Sequence, residues 1–471
     1  MKRFTALMVI AAVFAYAKPY EHLTLKEALR IVKSDNLEIN IAKFDEEVSK
    51  LGVKVAKGYN FGKLDVSVMG MRSNDAGNVF GFKLQSREAS FADFGFDEFL
   101  APMGGALMMA NTNSLTPEAL KGMNSILKIE PKKLNYPDAR NHFLTKISYM
   151  LPIYTGGKLT SYKKIAQKMA DMSKFDKEKV VSEKIFQVKK TFYDISLLDD
   201  FEKNLSKIKK DIERLKNTIK EMKKEGYAKK TDLLEVEAKL ANVIRMLNQT
   251  KAYKELSYKF LSFLLNHDVN SITPIALEAK FSDMDSAKIA KSNLDVKKAK
   301  TGYEIQSTMV NVAKASFKPE IGVFGQYSSS DDKPFNDFRD HDAYTFGFAF
   351  KYNLYNGGID KAKLEQEKLK KLKVENQVML AKKGIALKAD KIKTEIKNFD
   401  FQIESLKKEV ELAKEIYKVY KERYKEGLAS INDVLIKEAQ HIQKLLKLQK
   451  IRNKRNAKVL ELEKLAYGED K

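Results

Sequence analysis

Cysteine is absent from all 471 residues, which excludes disulfides, a thiol nucleophile and thiolate metal sites. The five histidines, His22, His142, His267, His341 and His441, are scattered without metal-ligand spacing. The Gly-Lys of "TGGKLT" is not a phosphate loop, because Pro152 stands where the leading glycine would be. No bound cofactor, no metal and no catalytic machinery is expected. Beyond the N-terminus no apolar run reaches the roughly 18 residues of a membrane-spanning helix. Glycine and proline are missing altogether between Lys158 and Glu225, and a matching later stretch contains only Gly384.

Those two stretches are copies. The first opens at Tyr154, Gly156 and Gly157 and closes at Lys224, Glu225 and Gly226. Adding 201 gives Tyr355, Gly357, Gly358 and then Lys425, Glu426, Gly427. Past the closing glycine, Ala228, Asp232, Leu234, Glu237 and Ala238 match Ala429, Asp433, Leu435, Glu438 and Ala439 at the same offset. A constant offset over so long a run marks a duplicated structural unit. Within it, Ile392, Ile396, Phe399, Ile403, Leu406, Val410, Ala413, Tyr417, Tyr420 and Tyr424 recur at steps of four and three, as do Leu205, Ile208, Ile212, Leu215, Ile219 and Met222. This is a heptad seam on helices roughly 100 Å long. A second offset, 257, relates Asn36-Leu37, Ala42-Lys43 and Val55-Ala56-Lys57 to Asn293-Leu294, Ala299-Lys300 and Val312-Ala313-Lys314. The offsets differ by 56 (257 less 201), so the first copy carries an insertion of that size. A helix from Leu25 to Lys57, capped by Thr24, and its counterpart from Asp285 to Ser316 are therefore expected.

Lys2 and Arg3, the apolar run Phe4 to Phe14 and Ala15-Tyr16-Ala17 form an export signal over 1–17. The absence of a following cysteine excludes a lipid anchor at the mature N-terminus. The formal charge is +23, from 86 basic and 63 acidic residues. The lysines are interleaved with acids along the helices, as on solvated faces, and export argues against nucleic acid as a partner.

Between the helices lie four segments that alternate with period two. The clearest is Tyr344, Phe346, Phe348, Phe350 and Tyr352, against Thr345, Gly347, Ala349 and Lys351. Aromatics on one side and small or polar residues on the other suit a barrel wall between lipid and water. That predicts a lipid-facing Phe346, Phe348 and Phe350. Four strands cannot close a barrel, so subunits must pool them. The insertion, 73–141, is expected as a long loop, with a packed lid or a ligand receptor as alternatives.

The two Tyr-x-Gly-Gly joints, the two hairpin tips, their spacing and the duplication together resemble a TolC-like outer-membrane efflux protein. The resemblance implies a mainly α fold with a membrane β-barrel: a homotrimer whose twelve strands form one barrel, continued by an α-helical tunnel through the periplasm. The expected divisions are a helical segment 18–61, strands with the insertion 62–152, a first long hairpin with return helices 153–317, further strands 318–355 and a second hairpin 356–471. The implied function is passive conduction across the outer membrane, working with a periplasmic adaptor and an energised inner-membrane pump. The hairpin tips, Gly226, Tyr227, Ala228, Gly427, Leu428 and Ala429, would meet the adaptor. Carried over residue by residue, Asp433 corresponds to a ring of gate carboxylates, and Thr231, Asp232 and Tyr424 to links between tips. Ala429 and Ile436 depart from the pattern, standing in place of a linking Arg and a second ring Asp. Helix N-capping is the other reading of Asp232 and Asp433. The competing function is a pore-less periplasmic adaptor or coiled-coil scaffold.

Overall fold

The computed structural model describes residues 18–109 and 117–467, so the export signal lies outside the described residues. The chain is mainly helical with a single four-stranded sheet among those residues. It divides into two compact units: one of 1–52, 166–307 and 368–471, the other of 53–165 and 308–367.

The duplication is reproduced. Helices α1 (Leu25–Asp35) and α2 (Leu37–Gly58) lead to strand β1 (Lys63–Ser73). Four helices follow: α3 (Ala76–Gln85), α4 (Phe96–Met109), α5 (Pro117–Ile126) and α6 (Lys132–Asn135). Strand β2 (Arg140–Thr155) then feeds α7 (Lys158–Lys224) and α8 (Lys230–Leu265). The second copy comprises α9 (Ser286–Ser292), α10 (Leu294–Ala315), β3 (Glu320–Asp331), β4 (Asp342–Lys351), α11 (Ile359–Lys425) and α12 (Ile431–Leu465). Both long helices, α7 and α11, have 67 residues and correspond to the residue, as do α2 and α10.

Each expected half-length helix is broken in the middle, at Asn36 and at Asn293. Both asparagines are extended (ψ 125° and 135°) and buried. Asn36 Oδ1 accepts from Ile39 N at 3.0 Å while its Nδ2 donates to Leu264 O at 2.8 Å. Asn293 does the same, accepting from Asp295 N at 2.9 Å and donating to Leu465 O at 2.9 Å. One side chain thus starts a helix and satisfies a last-turn carbonyl of another, groups that would otherwise be orphaned. Hydrophobic periodicity continues through such a break, which is why it does not show in the pattern. Thr24 caps α1 through a capping box with Glu27.

The insertion is not a loop. Val79 and Phe82 of α3 and Ile126 of α5 are buried, with Phe82 stacked on His142 of β2 at 4.2 Å. Glu98 binds the N-terminus of α6, accepting from Lys132 N and Lys133 N at 2.8 and 3.1 Å. Of the insertion's phenylalanines Phe82 is buried, whereas Phe91, Phe94 and Phe96 stay exposed; without a clear period the stretch reads as a loop.

In the helical unit, the heptad positions toward the tips form one core from both hairpins, while Ile392 and Ile396, and Ile403 and Leu406, belong to separate clusters. The shared core joins Leu205, Ile208, Ile212, Leu215 and Ile219 of α7 and Val236 and Val243 of α8 to Tyr417 and Tyr424 of α11 and Ile431, Val434 and Ile442 of α12. Ion pairs between helices, such as Lys216–Glu237 at 2.8 Å and Lys464–Glu183 at 2.9 Å, use the interleaved charges.

Candidate functional site

The sheet runs β1-β2-β3-β4, all antiparallel, and leaves β1 and β4 as open edges. Register decides which side chains share a face, because directly opposed residues point the same way. Val66 opposes Ile147, Ile147 opposes Tyr327 and Tyr327 opposes Tyr344. One level along, Leu64, Tyr149, Gly325 and Phe346 are aligned, and beyond them Leu151, Val323 and Phe348. One face is therefore apolar across all four strands. On the other, Asp65, Ser148, Gln326 and Thr345 are aligned, as are Ser67, Lys146, Ser328 and Ala343. Phe346 and Phe348 are 79% and 76% exposed, so no element of the chain covers the apolar face here. Gly347 is required on the polar face: a Cβ there would lie 2.9 Å from the Phe324 ring.

The insertion and the β3–β4 loop meet at one end of this sheet. Arg140 binds Glu88 and donates to Ser86 Oγ at 3.2 Å, and His341 Nδ1 lies 3.3 Å from Asp331 Oδ2. Ligand atoms of Glu88, Asp331 and His341 come within 4.8 Å of one another, the one set among the described residues that could hold a metal ion. The Arg140 guanidinium already supplies a positive charge to Glu88, which ties the insertion to the end of β2.

The hairpin tips are built alike. Gly226 and Gly427 take positive φ, 83° and 73°. Tyr227 N donates to Met222 O at 2.8 Å and Gly226 N to Lys223 O at 3.2 Å, the paired bonds of a glycine-terminated helix. Leu428 N to Arg423 O at 2.8 Å and Gly427 N to Tyr424 O at 3.0 Å repeat them. Tyr227 and Leu428 are exposed at the two tips, whereas Ala228 and Ala429 are half-buried.

The four gate candidates are brought to these tips in unequal roles. Asp433 is not the N-cap of α12; Ser430 is. Asp433 occupies the third helical position and closes a capping box, accepting from Ser430 N at 3.1 Å and Ser430 Oγ at 2.6 Å. Those bonds hold its carboxyl below the usual range. Asp232 stands at the same place in α8, accepting from Lys229 N at 3.0 Å, and Thr231 Oγ1 donates to it at 3.4 Å. Tyr424 is buried in the shared core, its hydroxyl pKa raised by burial and then by Asp232.

A second polar group nearby is absent from the sequence-based expectations. Glu438 is fully buried, and neither carboxylate oxygen has a hydrogen-bond partner in the structure. Burial pushes its pKa up to about 8. The signal was present: Val434, Glu438, His441 and Leu445 continue the three-four spacing of the seam.

Residues 286–466 match the family described as outer membrane efflux protein. Nearly the whole chain is similar in fold to solved structures. CusC is 10% identical with a TM-score of 0.74, the match covering 97% of this chain and 95% of that one. The Campylobacter jejuni outer membrane channel CmeC is 16% identical (TM-score 0.69, 97% and 90% covered). VceC of Vibrio cholerae is 13% identical (TM-score 0.69, 94% and 96% covered). No curated protein matches the sequence.

Proposed function

We propose, from the match of residues 286–466 to the family described as outer membrane efflux protein, that three copies assemble into an outer-membrane channel-tunnel. It conducts substrates from the periplasm, or from an inner-membrane pump, to the exterior. The observation that carries this reading is the sheet: four strands, one continuous apolar face, one polar face and two unpaired edges. Unpaired backbone edges are not tolerated in hydrocarbon, and closed bacterial barrels begin at about eight strands. Three copies provide twelve, with Phe346, Phe348 and Phe350 against lipid and Lys146, Gln326 and Thr345 toward water.

A second feature calls for neighbours. Along α2, Leu37, Ile41, Phe44, Val48, Leu51 and Val55 are between 53% and 71% exposed at steps of four and three. Such a stripe is a coiled-coil seam without its partner, and in the proposed trimer the next copy covers it. The tips, Gly226 to Ala228 and Gly427 to Ala429, face the periplasmic adaptor. There Asp433, with Thr231, Asp232 and Tyr424, forms the constriction.

Envelope fractionation and planar-bilayer recording test the proposal. Recovery as a heat-modifiable oligomer in the outer membrane, with stable conductance after purification, is expected. A soluble periplasmic monomer without conductance overturns it in favour of a pore-less scaffold.

A further inference from the structure

One pair of equivalent positions is partly exposed in the first hairpin and buried in the second. In the first, Lys216 of α7 and Glu237 of α8 form an ion pair at 2.8 Å, both partly exposed. Adding 201 to each gives Tyr417 and Glu438. Here the lysine has become a tyrosine, and the pair has moved inside: Tyr417 is 7% exposed and Glu438 0%. The Tyr417 hydroxyl and both Glu438 oxygens are buried without hydrogen-bond partners. Their surroundings are the core that α7, α8, α11 and α12 share, so the carboxyl lies where the first hairpin packs on the second.

A carboxylate without hydrogen bonds in an apolar site is strongly disfavoured, and the neutral acid is the form that packs. We propose that Glu438 is a proton-operated latch: protonated, it holds the second hairpin against the first near the tips, and loss of the proton loosens that contact so that water reaches the carboxylate. The charged groups around it come from every packed element. Lys239 of α8 and Lys421 of α11 favour ionisation, and Asp211 of α7 opposes it. Tyr417 of α11 is kept neutral by burial and by Glu438. His441 of α12, on Glu438's own helix, is also buried, with its pKa lowered by burial and then by Lys414.

The sign follows from linkage. A carboxyl raised from 4.5 to about 8 favours the packed state fully below 4.5, and that advantage is lost as pH rises through about 8. His441 runs the other way: its neutral packing is lost as pH falls below its ordinary value of 6.5. Lys239, held down by burial, contributes with His441's sign at the alkaline end. Between roughly pH 6.5 and 9, Glu438 alone shifts the ratio of packed to loosened tips by about thirtyfold.

The latch itself does not depend on the channel reading; only its effect on conduction does. The experiment therefore reads tip separation directly. Because the chain has no cysteine, Tyr227→Cys and Leu428→Cys can be spin-labelled in full-length protein, co-assembled with excess unlabelled chain. Pulsed electron resonance between pH 6.5 and 9 should show the distance distribution widening and lengthening as pH rises. Glu438→Gln, which leaves Lys239 and His441 in place, should hold the short distance throughout. Tyr417→Lys, which restores the first copy's ion pair, should give a distribution independent of pH in this range. A pH-independent wild type overturns the latch, as does an unchanged pH response in either variant. Conductance recorded on the same samples tests the channel separately: widening without any conductance would spare the latch and overturn the pore.

Discussion

At the scale of the residue, Asp433 closes a capping box and is the proposed gate carboxylate. Its capping bonds explain its lowered pKa, so its contribution to the tip is present above the ordinary carboxyl value of 3.8 and lost as pH falls through the lower folded one. Ser430→Ala should cost about 0.5–2 kcal/mol, read as an earlier thermal transition. Asp433→Asn keeps an acceptor for Ser430 and should cost less. Its effect should appear in single-channel records: a ring of three carboxylates attracts cations, so Asn should abolish cation selectivity and block by periplasmic multivalent cations. Selectivity and block that survive the change would leave Asp433 a capping residue only.

Elements carry the next pair of outcomes. On β4, Phe348 and Ala349 are neighbours on opposite faces. Arg at Phe348 should destabilise the barrel by about 2–4 kcal/mol per subunit if placed near the bilayer midplane. At Ala349 it should be tolerated and alter conductance. Equal tolerance in a refolding titration would sink this assignment of faces. The insertion is tied to the end of β2 through Arg140 and Glu88, while β1 and β2 pair directly from Lys63↔Met150 to Ser73↔Arg140. Replacing residues 75–136 by a short Gly/Ser linker should therefore leave oligomers intact on size exclusion. Failure to assemble would make the insertion part of the barrel's support.

For the whole molecule, the uncovered stripe on α2 is the feature a single chain cannot account for. Each of its side chains contributes about 1.5–3 kcal/mol when fully buried. Phe44→Glu together with Val48→Glu should split the oligomer into monomers, measured by light scattering, with helix content unchanged because both positions are exposed within one chain. Oligomers of undiminished stability would place the subunit contact elsewhere.

The sequence by itself determined the duplication, the two long helices, the seams and the alternating strands, because each rests on a period that local geometry imposes: 3.5 for paired helices, two for strands. It determined the hairpin ends too, since only glycine takes the required positive φ readily. Tertiary structure alone decided the breaks at Asn36 and Asn293, where a side chain serves a carbonyl 228 and 172 residues away. It also turned the insertion into helices, since aperiodic apolar residues declare a core only once folded. Glu438 belongs there as well. Its spacing placed it on the seam, but only the packing around it shows that neither oxygen is hydrogen-bonded, and burial is what makes the proton stay.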